Sequence, residues 1–438
     1  MTLADRVRAA TAETDEHRAR AGDAEELRRR VTQRMPFELI ASIASDSPER
    51  ARNELRAACR RELSSARWDG RTQSEKARLV EDLMDLVFGF GPIESLVYDE
   101  SVTEIMINGT QSIYYEKEGR LHLFDARFES DDQIRVLIDR IVGPLGRRID
   151  ESSPMVNARL PQGHRVNAII PPLSPDGPVV TIRAFSHHVM SLEEMIALGT
   201  FDENMARFFG WVVPSRMSVV VSGGTGSGKT TLLNALSRLI PHEERVITIE
   251  DSAELRFLDH PHVVRLEARP RNAEGEGEVT IRDLVVNALR MRPDRIVVGE
   301  CRSGEALDML QAMNTGHEGS LTTLHANAAA EVVDRMVTMV RYVVDLPIDA
   351  VEAQIGNAFD FIVQMTRAPD GSRFVSQLAE VSFDREKRAC VVEPIYARGL
   401  LDACGRWLRA PARVGDFVER GVADEKEVDR WKASILGL

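Results

Sequence analysis

Val219-Val220-Val221-Ser222-Gly223-Gly224-Thr225-Gly226-Ser227-Gly228-Lys229-Thr230-Thr231 is the stretch that decides how this chain of 438 residues is read. An apolar run breaks into glycines and restarts as Leu232-Leu233-Asn234-Ala235-Leu236, so a strand, a phosphate-sized turn and a helix follow one another. Gly223 and Gly228-Lys229-Thr230 stand at P-loop spacing. Glycines adopt backbone angles closed to other residues, so Gly223, Gly224, Gly226 and Gly228, with Thr225 and Ser227 between them, can turn successive N–H groups inward around β- and γ-phosphates. Lys229 adds a point charge, the Thr230 hydroxyl a ligand for magnesium, and Thr231 continues the first turn of a helix whose positive end faces the same phosphates. A nucleotide with Mg2+ is the expected ligand.

Working outward, the strand–helix alternation continues. Strands are expected over 217–222, 246–250, 296–299 and 321–324, and helices over 229–239, 281–291 and 305–314, the alternation that builds a parallel sheet. A helix over 192–209 leads into the first strand, helical spacing returns from 335 to about 361, and strands over 361–365 and 375–383 follow. Pro270 to Gly277 reads as a mobile loop. Three stretches at the carboxyl ends of these strands, where open α/β sheets place ligands, carry the polar groups of nucleotide hydrolysis. Glu250-Asp251-Ser252-Ala253-Glu254 places Glu254 to polarise an attacking water, with Glu250 and Asp251 positioning it or the metal shell. Gly299-Glu300-Cys301-Arg302 ends a buried strand with a carboxylate that reaches magnesium through water or orients the nucleophile. His317 and His325 bracket the strand at 321–324; His325 reads as a γ-phosphate sensor and not as a metal ligand, because magnesium prefers oxygen.

The N-terminal part has a different texture. Residues 1–35 hold hardly any large apolar side chains and read as a flexible or loosely helical extension. Residues 36–88 have helical apolar spacing. At Gly89-Phe90-Gly91-Pro92 the pattern changes to hairpins around Asn108-Gly109 and a helix over 131–142, with short strands that each deliver an arginine, among them Arg159, Arg165 and Arg183. This reads as an α+β domain over 89–186, joined by a linker at 187–192 to the P-loop domain at 193–394. Residues 395–438 form a tail whose Val422, Val428, Trp431, Ile435 and Leu436 make an apolar helix face, for a partner or for the body of the protein.

Composition sets limits on function. Hydrophobic residues make up 43% of the chain, enough for more than one core. A formal charge of -13 and no basic groove interleaved with aromatics argue against direct nucleic-acid binding. The four cysteines, Cys59, Cys301, Cys390 and Cys404, have no paired spacing, which fits a reducing cytoplasm and no structural zinc. No signal peptide or membrane-spanning run is present, so membrane contact is expected only through partners.

The four stretches in this order resemble the secretion ATPase superfamily of type II and type IV secretion and type IV pili, with its Walker A, Asp box, Walker B and His box. Val102-Thr103-Glu104-Ile105-Met106-Ile107-Asn108-Gly109, Gly146-Arg147-Arg148-Ile149-Asp150-Glu151-Ser152-Ser153-Pro154-Met155 and Leu289-Arg290-Met291-Arg292-Pro293-Asp294-Arg295 are similar to the CpaF/TadA branch of tight-adherence (Flp) pili. The resemblance implies an α/β fold: a RecA-like P-loop NTPase domain preceded by a smaller α+β N-terminal domain and a helical N-terminal extension. It also makes the expected nucleotide ATP, and implies a cytoplasmic homo-hexamer that hydrolyses ATP and drives an inner-membrane platform protein. Arg165 and Arg183 match the motifs from which the superfamily supplies nucleotide-facing arginines. Asn157 stands where the branch commonly has Asp, and Gln162-Gly163-His164 replaces a more usual Asp-Gly-Ser. The competing readings are a nucleic-acid translocase of the same fold and a nucleotide-gated scaffold; intact Lys229, Glu254 and Glu300 disfavour the scaffold.

Overall fold

The computed structural model describes residues 23, 26–36, 39–40, 43 and 47–437, except 118, 146, 161, 185–188, 258 and 272–274. The chain divides into two compact units, residues 1–185 and 186–438.

In the first unit, residues 26–34 are helical, followed by helices Pro48–Leu63 and Gln73–Phe88. Ser47 accepts the Arg50 N–H and Pro48 pre-sets the first turn, so this helix begins where its sequence supplies a cap. Leu27, Val31, Leu55, Trp68, Leu79 and Leu83 share a core. The expectation of an extension through residue 35 is thereby corrected for residues 26–35: Leu27 and Val31 are spaced one helical turn apart and both are buried, which a composition average does not register. Residues 1–22 lie outside the described residues.

A six-stranded antiparallel sheet follows, built from β1 (Val102–Asn108), β2 (Ser112–Lys117), β3 (Arg120–Phe124), β4 (Met155–Arg159), β5 (Arg165–Ile169) and β6 (Val179–Arg183) in the order β3-β2-β1-β6-β5-β4. Gly109, at φ +57, makes the β1–β2 turn in a conformation that L side chains rarely adopt. Ser130 caps the helix Asp131–Val142, whose Ile134, Leu137, Ile138 and Ile141 pack with Ile105, Ile107, Val166 and Ile182 of the sheet.

The second unit is a nine-stranded sheet in the order β15-β14-β13-β12-β7-β11-β10-β8-β9. β7 (Val219–Gly223), β8 (Val246–Glu250), β9 (Val263–Glu267), β10 (Arg295–Cys301), β11 (Leu321–Leu324) and β12 (Phe361–Arg367) run parallel. β13 (Arg373–Asp384), β14 (Ala389–Ala397) and β15 (Arg406–Trp407) extend the sheet antiparallel. The continuous apolar runs of β7 and β8 are buried along their whole length because helices cover both faces. Val219 and Val221 enter one core with the helices Glu203–Val212, Lys229–Ser237 and Glu425–Leu436, and Val220 enters the other with Ile281–Ala288, Glu305–Asn314, Glu331–Arg341 and Ile348–Ala358.

Several expectations change. The helix over 192–209 is two helices, Leu192–Ala197 and Glu203–Val212, separated by Gly199 at φ +71 and restarted by Asp202, whose carboxylate accepts the Met205 N–H at 2.7 Å. The helical stretch from 335 is broken before Pro347. β9 is an additional edge strand, paired in parallel with β8. Around the expected mobile loop, Arg269 pairs with Val279 across its neck and Arg271 bonds Glu278 at 2.9 Å; residues 272–274 lie outside the described residues. Of the two readings of the apolar helix face after 395, the structure has the one in which it serves the body of the protein: Trp431 is fully buried, stacks on Phe208 at 5.8 Å and donates its indole N–H to Asn204 O at 3.0 Å, while Leu436 is exposed.

Candidate functional site

The P-loop joins β7 to the helix Lys229–Ser237. Gly226 and Gly228 sit at φ +71 and +96, and a Cβ on Gly223 (φ +152) would collide with Met365 O and approach Ser227 Oγ to 2.6 Å. These positions therefore require glycine for conformation and for closeness of approach. Lys229 Nζ, almost buried, donates to the loop's own carbonyls, Gly223 O at 3.0 Å and Gly224 O at 2.9 Å, and lies 3.4 Å from His325 Nε2.

β10 and β11 supply the groups beside it. Their pairing slips between Val298 and Cys301, and this irregularity carries Glu300, which stands at the carboxyl end of β10. Glu300 Oε1 lies 2.9 Å from His325 Nε2, and Oε2 accepts from Arg302 Nη2 at 2.5 Å. Burial pushes the Glu300 carboxyl up, but the Arg302 guanidinium, with His325 and Lys229 behind it, more than offsets this and holds it below its ordinary value. His325 moves down, first because it is partly buried and then because of the Lys229 ammonium, so it is neutral at pH 7. The residue after it is held from below: Ser222 Oγ donates to Gln364 Oε1 at 2.5 Å, and Gln364 Nε2 donates to Ala326 O at 3.1 Å.

β8 contributes a turn of carboxylates. Glu250, 4% exposed, accepts the N–H groups of Glu254 (2.7 Å) and Leu255 (2.9 Å) on one oxygen. It thereby fixes the turn on which Glu254 stands. Gly299 makes this possible, since a Cβ there would come within 2.7 Å of Glu250 Cγ. Burial raises the Glu250 carboxyl to about 7 in spite of those two donors. Arg302 is the residue that sequence reasoning passed over. Its guanidinium reaches Asp251 at 3.5 Å and is held protonated by its bond to Glu300 and by the charges of Asp251 and Glu254. Its position two residues after the Walker B carboxylate was visible in the sequence; its role as the bridge between two strand ends was not.

Of the two histidines, only His325 is at the P-loop. The expectation for His317 is corrected: it precedes β11, whose Leu321 pairs with Val219 at the amino end of β7, and its Nδ1 lies 3.1 Å from Ala312 O of the preceding helix. The length of a strand, at about 3.3 Å per residue, separates it from the phosphate loop.

In the first unit, cross-strand register aligns Arg159 with Arg165 and Arg165 with Arg183. Val166 and Ile182 point into the core, so the arginines project from the opposite face of the sheet. Arg183 also stands opposite Glu104 of β1, so the row carries three guanidinium groups ending on one carboxylate, a net positive face that can meet an anion. Asn157 has a local role, accepting from Asn167 Nδ2 at 3.0 Å.

The donor set fits a magnesium nucleotide. Thr230 and Glu300 offer oxygen, and among the described residues no group of His, Cys, Asp and Glu is arranged to hold a metal by itself. A cation here depends on phosphate and water oxygens, as magnesium usually does.

A model of the family described as "Type II/IV secretion system protein" matches residues 88–396. The chain belongs to this family. A putative conjugal transfer protein of Mycobacterium tuberculosis is 36% identical over 321 residues, covering 72% of this chain and 90% of that one. The type IV secretion system protein VirB11 of Bartonella quintana is 30% identical over 313 residues, 63% of this chain and 87% of that one. Among solved structures, the Yersinia pseudotuberculosis ATPase DotB is 18% identical with a TM-score of 0.50, covering 78% of this chain and 91% of that chain, a likeness of fold. The secretion-family match spans both the arginine-bearing sheet and the P-loop sheet.

Proposed function

We propose that this chain is an ATP-hydrolysing motor of a pilus or secretion machine, a homo-hexamer of the CpaF/TadA branch that works in the cytoplasm against inner-membrane platform proteins. The observation that carries the reading is the convergence of Lys229, Glu300, Arg302, His325 and the Glu250-anchored turn of Glu254 at the carboxyl ends of four adjacent parallel strands. Family membership and relatives named for conjugal transfer and type IV secretion support it. Among the described residues no helix is long and apolar enough to cross a membrane, consistent with membrane contact through partners.

In this reading Lys229 exchanges the loop carbonyls for the β- and γ-phosphates of ATP. Thr230 and Glu300 hold magnesium, the latter through water; the ion supplies charge neutralisation at the phosphates. Glu254 orients and polarises the attacking water, and Arg302 keeps Glu300 ionised. Neutral His325, 2.9 Å from Glu300, senses the γ-phosphate. Arg165 and Arg183 contribute positive charge to that phosphate in the assembled ring, so their contact ends with cleavage and couples chemistry to movement. The test is ATPase rate against protein concentration with mass measured in parallel, for wild type and Arg183→Ala. Rate per subunit should rise as hexamers form, and the variant should assemble but stall. Monomers that turn over at full rate without Arg183 overturn the motor mechanism.

A further inference from the structure

β12 runs alongside β7 with Met365 opposite Gly223, then reverses into β13, and Arg367 and Arg373 face each other across the neck of this hairpin. The reversal is well made. Ala368 N–H donates to Ser372 O at 2.8 Å, Asp370 Oδ1 accepts from the Ser372 N–H at 2.9 Å and its hydroxyl at 2.7 Å, and Gly371 takes φ +91. Both arginines are exposed, and both lie against the glycine arch of the P-loop. Arg373 Nε donates to Gly226 O at 3.0 Å, and Arg367 Nη1 is 3.5 Å from where a Gly226 Cβ would stand.

The order of the strands gives this placement a direction. Glu300, Arg302 and His325 come from β10 and the end of β11, on one flank of β7; the hairpin stands on the other flank. A nucleotide held by the loop with its terminal phosphate toward Glu300 and His325 runs its α-phosphate toward β12. A guanidinium is suited to that position, because its fork matches two phosphate oxygens at once. Two like charges on directly paired residues cost energy in the free protein, and an anion between loop and hairpin relieves that cost.

We infer that Arg367 binds the α-phosphate of the nucleotide and that Arg373 is a positioning residue, holding the P-loop arch in its phosphate-ready shape through the Gly226 carbonyl. The inference rests on the nucleotide reading given above. Full-length Arg367→Ala, Arg373→Ala and Arg373→Lys are compared with wild type by titration calorimetry with ADP and with ATP, by KM and kcat, and by thermal melting. Arg367→Ala should weaken ADP and ATP by the same factor, about tenfold for one lost charge-assisted contact, and the loss should appear in KM. Arg373→Ala should lower kcat as the arch misplaces the phosphates, and Arg373→Lys, which keeps one donor for Gly226, should restore part of it at unchanged melting temperature. Unaltered ADP affinity in Arg367→Ala, or a loss confined to ATP, overturns the α-phosphate assignment. A kcat that Arg373→Ala leaves intact overturns the positioning role. Wild type that binds neither ADP nor ATP overturns the nucleotide reading itself, a result distinguishable from the other two.

Discussion

Glutamate 250 holds up the turn that carries Glu254, and its environment makes the neutral carboxyl the favoured form. Among the described residues its Oε1 is buried without a hydrogen-bond partner, while the other oxygen serves two N–H groups. Replacing it with glutamine keeps the shape and removes the ability to ionise. The folded carboxyl is raised from 4.5 to about 7, so between those values the folded state retains a proton that the unfolded chain releases. Stability therefore falls as pH rises through this window, and the full penalty is present above it. Integrated between about pH 5.5 and about pH 8.5, the wild type should lose roughly 2 kcal/mol relative to Glu250→Gln. Urea unfolding followed by tryptophan emission reads this directly, because Trp211, Trp407 and Trp431 all lie in or against one core of the second unit. A wild-type-minus-variant difference that stays constant across that pH range refutes the claim that burial holds Glu250 neutral.

Gly223→Ala should cost about 2–3 kcal/mol and abolish nucleotide binding, since the new methyl meets Met365 O and Ser227 Oγ at a backbone angle that alanine avoids; melting and ADP titration check both. Trp431→Ala should lower second-unit stability by about 3–5 kcal/mol in urea, whereas a freely appended tail predicts no change. His325→Ala should lower the ATP turnover number while His317→Ala leaves it at the wild-type value, a contrast measured by steady-state ATPase assay; equal losses of turnover in the two variants count against the separation along β11.

The P-loop, its strand and its helix were fully legible, because a glycine-rich phosphate loop is specified by local backbone chemistry within a dozen residues. So were β8, the helix Asp131–Val142 and the Glu300 strand end, where apolar run length and capping residues are all local signals. The buried helix at 26–34 was not, and for Trp431 the apolar helix face was legible but its partner was not, since both depend on apolar residues distant in sequence, Trp68 and Phe208, that composition cannot pair with them.

The same division governs the site. Sequence alone determined which residue types stand at each strand end and therefore that phosphate chemistry is on offer. Only the tertiary structure decided which of them meet. Strand order brought Arg302 to Glu300 and Asp251, Lys229 to His325, and the Arg367–Arg373 hairpin to the glycine arch, and it left His317 at the far end of β11. Register set Arg159, Arg165 and Arg183 in one row. The physical reason is that electrostatic and hydrogen-bond coupling falls off over a few ångströms, a distance fixed by how strands pair and not by how far apart residues lie along the chain.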